Sequence, residues 1–219
     1  MAEVTQANIF LQKAEDLDGY LRACQQSPLN HKARQALHYA AWNDQSLAKK
    51  AREGLQGSEI VIVSPSTEGG MPHTRSPNII CLPAYWPEDK ISSTINHELI
   101  HISQRQHPKA WEKTLLKEGW SKVQEETLPV EWVARCRMNP DTFAARWWAW
   151  EGRHVPMPIF VREDRPQLRD IEVRWWDRET DRLNPGAPMS FVRKYGDVPA
   201  SHAEHPYELW AYTLEEKNR

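Results

Sequence analysis

The chain has 219 residues, 40% of them hydrophobic and 26% charged, with a formal net charge of -2. That length can bury a sizeable core. The near-neutral balance leaves no basic field to hold nucleic acid, and no apolar stretch approaches the roughly 20 residues of a membrane span.

Cys24, Cys81 and Cys136 are odd in number, far apart and without a CxxC, which argues against a disulfide framework and against a cysteine zinc cluster. A reducing compartment is the simpler expectation. The first ten residues, MAEVTQANIF, lack a basic segment followed by an apolar run, so no signal peptide and a cytoplasmic location are expected. Eleven Trp suit either an aromatic core or aromatic substrate subsites.

In chain order, residues 5–25 carry Ile9, Leu11, Leu17, Tyr20 and Leu21 among polar residues and predict an amphipathic helix broken by Pro28. Residues 30–53 predict a second helix ending near Gly54, with His31 and His38 as surface or packed histidines. Together they make residues 1–56 a helical N-terminal layer, and residues 57–219 one compact domain. Ile60–Val63 and residues 78–82 read as strands. Between them the Ser-, Pro- and Gly-rich residues 64–77 read as a loop carrying a solvated His73. A helix is expected from Ile91 to His107, with Ser92, Ser93 and Thr94 as N-cap candidates and Pro108 marking its end. The strand before it offers an edge for β-addition of an extended peptide.

Farther on, residues 109–127 and 130–137 look helical, and residues 139–142 (NPDT) are a turn. Residues 146–150, 158–161 and 171–176 look like the strands of a small antiparallel sheet. A loop at residues 184–188 and a short strand at residues 191–193 follow, before a final helix over residues 204–217. Pro206 fits its first turn, and Leu209, Tyr212 and Leu214 face inward.

The chemistry concentrates at His97-Glu98-Leu99-Ile100-His101, which reads H-E-x-x-H. On a helix, residues four apart share a face, so two imidazoles can grip one metal ion while the intervening glutamate reaches a water on it. A catalytic zinc site needs a third protein ligand. The glycine of the metzincin extension is absent, since position 104 is Gln; His107 nevertheless keeps the spacing of that pattern's third histidine. Glu118, on the next predicted helix, and Glu208, in EHPYE on the last, are the leading candidates, with Glu208 preferred. His202, Glu204 and His205 are lesser ones. Tyr207, Tyr212, His202, His205 and Arg137 are possible donors to a developing oxyanion. His205 and Tyr212 are favoured because they lie beside Glu208.

His97, Glu98 and His101, on a helix preceded by a strand, resemble the zincin metallopeptidases, and a glutamate third ligand is similar to the gluzincins. The resemblance implies an α+β fold: a mostly helical zincin-like domain with a small mixed or antiparallel sheet and an active-site helix. It also implies Zn2+ held by His97, His101 and Glu208, with Glu98 as the base that activates water against a peptide or protein substrate. Two other readings use the same residues. Two His and a carboxylate also form the site of non-haem Fe(II) enzymes, and a Trp-rich surface can serve a non-catalytic binding module.

Overall fold

The computed structural model describes residues 2–217 except Ala36, His38, Gly54 and Gln56. The expectations for His38 and for a helix end at Gly54 therefore lie outside the described residues. α1 (Ala2–Asp18) and α2 (Tyr20–Gln26) replace the single helix expected over residues 5–25. Gly19, at φ 62°, takes the left-handed conformation between them, which a residue with a Cβ adopts only at a cost. α3 (Pro28–Arg34) opens on proline, and His31 is exposed on it.

The helix expected over residues 30–53 also divides. α4 (Gln45–Arg52) starts only after Asp44, whose side chain accepts from the Leu47 N–H at 3.0 Å. The segment before it is drawn off by the sheet: Trp42 N–H donates to Ile62 O, and Ser64 N–H donates to Ala40 O. Tertiary backbone pairing here outweighs the helix propensity of an Ala-rich run.

β1 (Glu59–Val63), β2 (His73–Arg75) and β3 (Ile79–Pro83) form a sheet in the order β1-β3-β2, with β1 parallel and β2 antiparallel to β3. β1 and β3 are almost continuously apolar because both faces are covered. Side chains alternate across the pleat: Val61, Val63, Ile79 and Cys81 pack against Leu11 and Ala14 of α1. Ile60, Ile62, Ile80 and Leu82 pack against α4 and α5 (Ile91–Gln106), through Leu47, Ala51, Ile91, Ile95 and Ile102.

β2 lies inside the stretch expected to be a loop. His73 is buried rather than solvated, its Nε2 2.7 Å from the Tyr39 hydroxyl and its Nδ1 3.1 Å from Met71 O. Arg75 on the same strand ties it to α1 through Asp18 and Glu15.

At the start of α5 the boundary residue is Lys90, not one of the three hydroxyl residues. Thr94 Oγ1 instead accepts from Trp86 Nε1 at 3.0 Å. α6 (Pro108–Glu118) stops at Gly119, φ 102°, well short of residue 127. A Cβ at Gly119 would meet the Trp150 ring at 3.1 Å, so the close approach as well as the turn demands glycine.

The chain then enters a second sheet, β4 (Trp120–Lys122), β5 (Trp148–Trp150), β6 (His154–Phe160), β7 (Ile171–Asp177) and β8 (Arg182–Asn184), antiparallel in sequence order. α7 (Val130–Val133) is a single turn. α8 (Met189–Tyr195) is a helix where a short strand was expected. α9 (Ala200–Ala203) and α10 (Pro206–Lys217) complete the chain, with Pro206 opening α10.

The Trp pairs follow from strand geometry, since successive side chains point to opposite faces. Trp148 and Trp175 join Trp120, Trp150, Phe191 and Tyr207 on one face. Trp147 and Trp176 join Met157, Ile159 and Leu128 on the other.

The expected mostly helical zincin-like domain with one small sheet is thus corrected. The chain is α+β, but it builds two sheets, of three and five strands, each with apolar clusters on both faces. The short strands β2, β4 and β8 carry little sequence signal of their own and form because neighbours pair with them.

A buried network joins the N-terminal helices to the loops of the cleft. Arg34 donates to Glu68 Oε1 and Oε2 at 3.0 and 2.8 Å and to Met138 O at 2.9 Å. Burial opposes ionisation of Glu68, but Arg34 outweighs it and holds the carboxyl below its ordinary value. The stability so gained is present above the unfolded carboxyl value of about 4.3 and is lost as pH falls through the folded one. Arg34→Met, which leaves the Glu68 carboxylate buried without its cationic partner and with only the Tyr20 hydroxyl donating to it, is expected to cost about 3–5 kcal/mol in urea unfolding at neutral pH. Glu68→Gln should flatten the acid side of the stability profile; an unchanged profile would show that the pair contributes nothing to it.

Candidate metal centre

α5 presents His97 and His101 on its buried side, where α10 packs along it. Their Nε2 atoms lie 3.1 Å apart, and Glu208 Oε2 lies 3.5 Å from each. All three residues are buried. A tetrahedral ion with donors at 2.0–2.1 Å requires donor–donor separations of about 3.3–3.4 Å. The triangle, at 3.1 to 3.5 Å, is close to that requirement, and its donors, two imidazoles and a carboxylate, suit zinc and also a non-haem Fe(II) site.

The charges favour a cation. Burial alone would lower the His101 pKa, but Glu208, Asp141 and Glu98 outweigh it and push it up to about 10. His97 is raised against burial in the same way, chiefly by Glu208. Burial would likewise keep the Glu208 carboxyl protonated, but the two imidazoles hold it well below its ordinary value.

Two of the three donors are hydrogen-bonded to a second residue, the arrangement that orients metal ligands, and the third, His97, has an acidic neighbour instead. His101 Nδ1 lies 2.8 Å from Gln104 Oε1, and Gln104 Nε2 donates to Tyr207 O at 3.0 Å, locking α5 to α10. His97 Nδ1 lies 3.4 Å from Glu215 Oε2. Asn139 Nδ2 donates to Glu208 Oε1 at 2.8 Å.

Glu98 is buried beside the triangle, and its Oε2 has no hydrogen-bond partner among the described residues. Burial first, then the negative charge of Asp141, pushes its pKa up to about 8. Asp141 accepts from both the N–H and the hydroxyl of Thr74, at 2.6 and 2.7 Å. The outer edge of β2 is therefore occupied at that amide. β3, the strand that precedes α5, is interior to its sheet. The free edge expected for β-addition is absent from it.

A cleft of about 910 Å³ opens onto His97, Glu98 and Glu208, walled by α5, α10 and the segments around Pro72 and Pro140, with His101 behind them. Tyr212 lines it, its ring 4.4 Å from that of His97 and stacked on His202 at 3.8 Å. Burial raises the pKa of the Tyr212 hydroxyl, so it stays protonated at neutral pH.

The structure does not bring His205 to the cleft. Its Nε2 donates to Ala145 O at 2.8 Å, and its Nδ1 accepts from Tyr207 N–H at 3.0 Å. Both nitrogens are committed, and burial lowers its pKa to about 4. Glu118 lies at the far end of α6, paired with Lys194 at 2.8 Å, and His107 is exposed between α5 and α6. Glu204 and Arg137 line the cleft but pair with each other.

The sequence reading missed Gln104, Asn139, Asp141 and Glu215. Gln104 lies three residues from His101 on the same helical face, which is a usable signal. The NPDT turn held Asn139 and Asp141 without indicating what they would face.

No protein-family model, curated protein or solved structure matches the chain. The zincin-like fold expected from the motif accordingly has no structural relative behind it.

Proposed function

We propose that the chain is a zinc-dependent peptidase with a gluzincin-like ligand set, in which His97, His101 and Glu208 hold Zn2+ and Glu98 is the general base. The observation that carries this reading is the triangle of two Nε2 atoms and one Oε2, sized for a tetrahedral ion, with the unpartnered Glu98 oxygen beside it and a cleft opening onto both. Zinc held there would polarise the scissile carbonyl and lower the pKa of a bound water from about 15.7 toward 7. Glu98 takes the proton of the attacking water and delivers it to the leaving amine. Its burial lets it hold the proton between the two halves of that cycle, and the charge of a bound cation would favour the carboxylate that accepts it first. Tyr212, protonated and with its ring beside His97 on the cleft wall, is the proposed donor to the carbonyl oxygen as negative charge develops on it. Gln104 keeps the His101 imidazole facing inward, and the Glu215 carboxylate lies beside His97.

The test combines metal analysis of protein purified without added metal with mass spectrometry of new termini in an unfolded protein substrate. About one zinc per chain, together with cleavage that a chelator stops, is the expected result. Iron with oxygen consumption would overturn the peptidase reading in favour of an Fe(II) enzyme. Absence of any bound metal, with partner binding intact in His97→Ala, would leave a non-catalytic module.

A further inference from the structure

We propose that Asn139 is a positioning residue that confines Glu208 to a single-oxygen contact with the metal, keeping one coordination position free. This rests on the metal-centre reading above. Glu208 Oε2 is the atom 3.5 Å from both imidazole nitrogens. Its other oxygen, Oε1, is turned away and accepts from Asn139 Nδ2 at 2.8 Å. The same Nδ2 donates to Glu204 Oε1 at 2.8 Å, so both hydrogens of the amide are committed. The amide cannot be the other way round. Asn139 Oδ1 accepts the Asp141 N–H at 2.9 Å, and an NH2 group could not.

Glu204 is fixed in turn by Arg137, whose Nη2 lies 2.6 and 2.5 Å from its two oxygens. The clamp is thus anchored at both ends, in the turn and on the carboxylate next to α10. Rotating Glu208 to offer both oxygens would break the Asn139 bond and leave a buried donor without its acceptor. A carboxylate free to chelate would crowd the position that a catalytic zinc site keeps open for water or substrate. Asn139 touches neither the ion nor the substrate in this scheme; it acts through Glu208.

Cobalt(II) substitution tests this without reference to activity, because four-coordinate cobalt absorbs visible light far more strongly than cobalt of higher coordination. Titration of wild-type protein with Co2+ should give the intense four-coordinate bands. Asn139→Ala should weaken and shift them as the second Glu208 oxygen enters. Glu118→Gln, which alters a carboxylate paired with Lys194 at the far end of α6 and remote from the clamp, should leave them in place. Wild-type bands in Asn139→Ala, whatever its melting temperature, would overturn the positioning role while the metal-centre reading stood. Wild-type protein that takes up no cobalt would overturn both. If Asn139→Ala does not fold, zinc-edge X-ray absorption of the wild type decides: one carboxylate oxygen in the coordination shell supports the proposal, and two overturn it.

Discussion

Glu98→Gln should bind zinc as the wild type does and lose about 10²–10⁴-fold in kcat, the range for removing a positioned acid–base group. That is about 3–5 kcal/mol of barrier. The substitution keeps the side chain's volume and removes only its ability to take a proton. The pocket already resists the charged form of Glu98, through burial and through Asp141. A neutral amide is therefore tolerated at neutral pH, and the melting temperature should hold. Peptide cleavage and zinc content are read on the same preparation. Full activity would remove Glu98 from the mechanism. Activity lost together with the metal would make it a ligand rather than a base.

The second large effect is on the metal itself. Glu208→Ala should weaken zinc binding by more than the 10–100-fold typical of losing an outer partner, because a donor is lost and not merely its support. Glu118→Ala, which removes a carboxylate paired with Lys194 at the far end of α6, should leave affinity unchanged. Competitive titration against a chromogenic chelator measures both. Zinc retained in Glu208→Ala would mean that α10 does not contribute the third donor, although Glu98 could keep its role.

Local rules reached the H-E-x-x-H helix because its evidence is local: a 3–4 apolar spacing, histidines four residues apart, and a proline beyond. Glu208 was reachable because a polar cluster in a Trp-flanked helix is unusual. The backing of the site was not legible. Asn139 and Asp141 were only a turn until β2 and α10 came to rest against it. His205 was favoured as an oxyanion donor because it lies beside Glu208, yet its ring nitrogens were captured by Ala145 O and Tyr207 N–H, partners that only the folded chain supplies. The same limit explains the sheets. β1 and β3 announce themselves as β-branched runs, whereas β2 hides in a Ser-Pro-Gly loop and β4 follows a helix whose end only Gly119 marks. The helix expected over residues 30–53 was interrupted where the edge of β1 claimed the backbone around Ala41.

The meeting of α5 and α10 has one more consequence, for the chain as a polymer. An ion gripped by His97, His101 and Glu208 would be a cross-link closing a loop of more than a hundred residues. The unfolded chain brings such distant groups together only at an entropic cost, so the ion selects the folded state. Mass action then adds about 2.7 kcal/mol of stability at a free-metal level 100 times the Kd. Resistance to unfolding would rise and fall with the metal supply, and a chelator would loosen the helix that walls the cleft as well as empty the site.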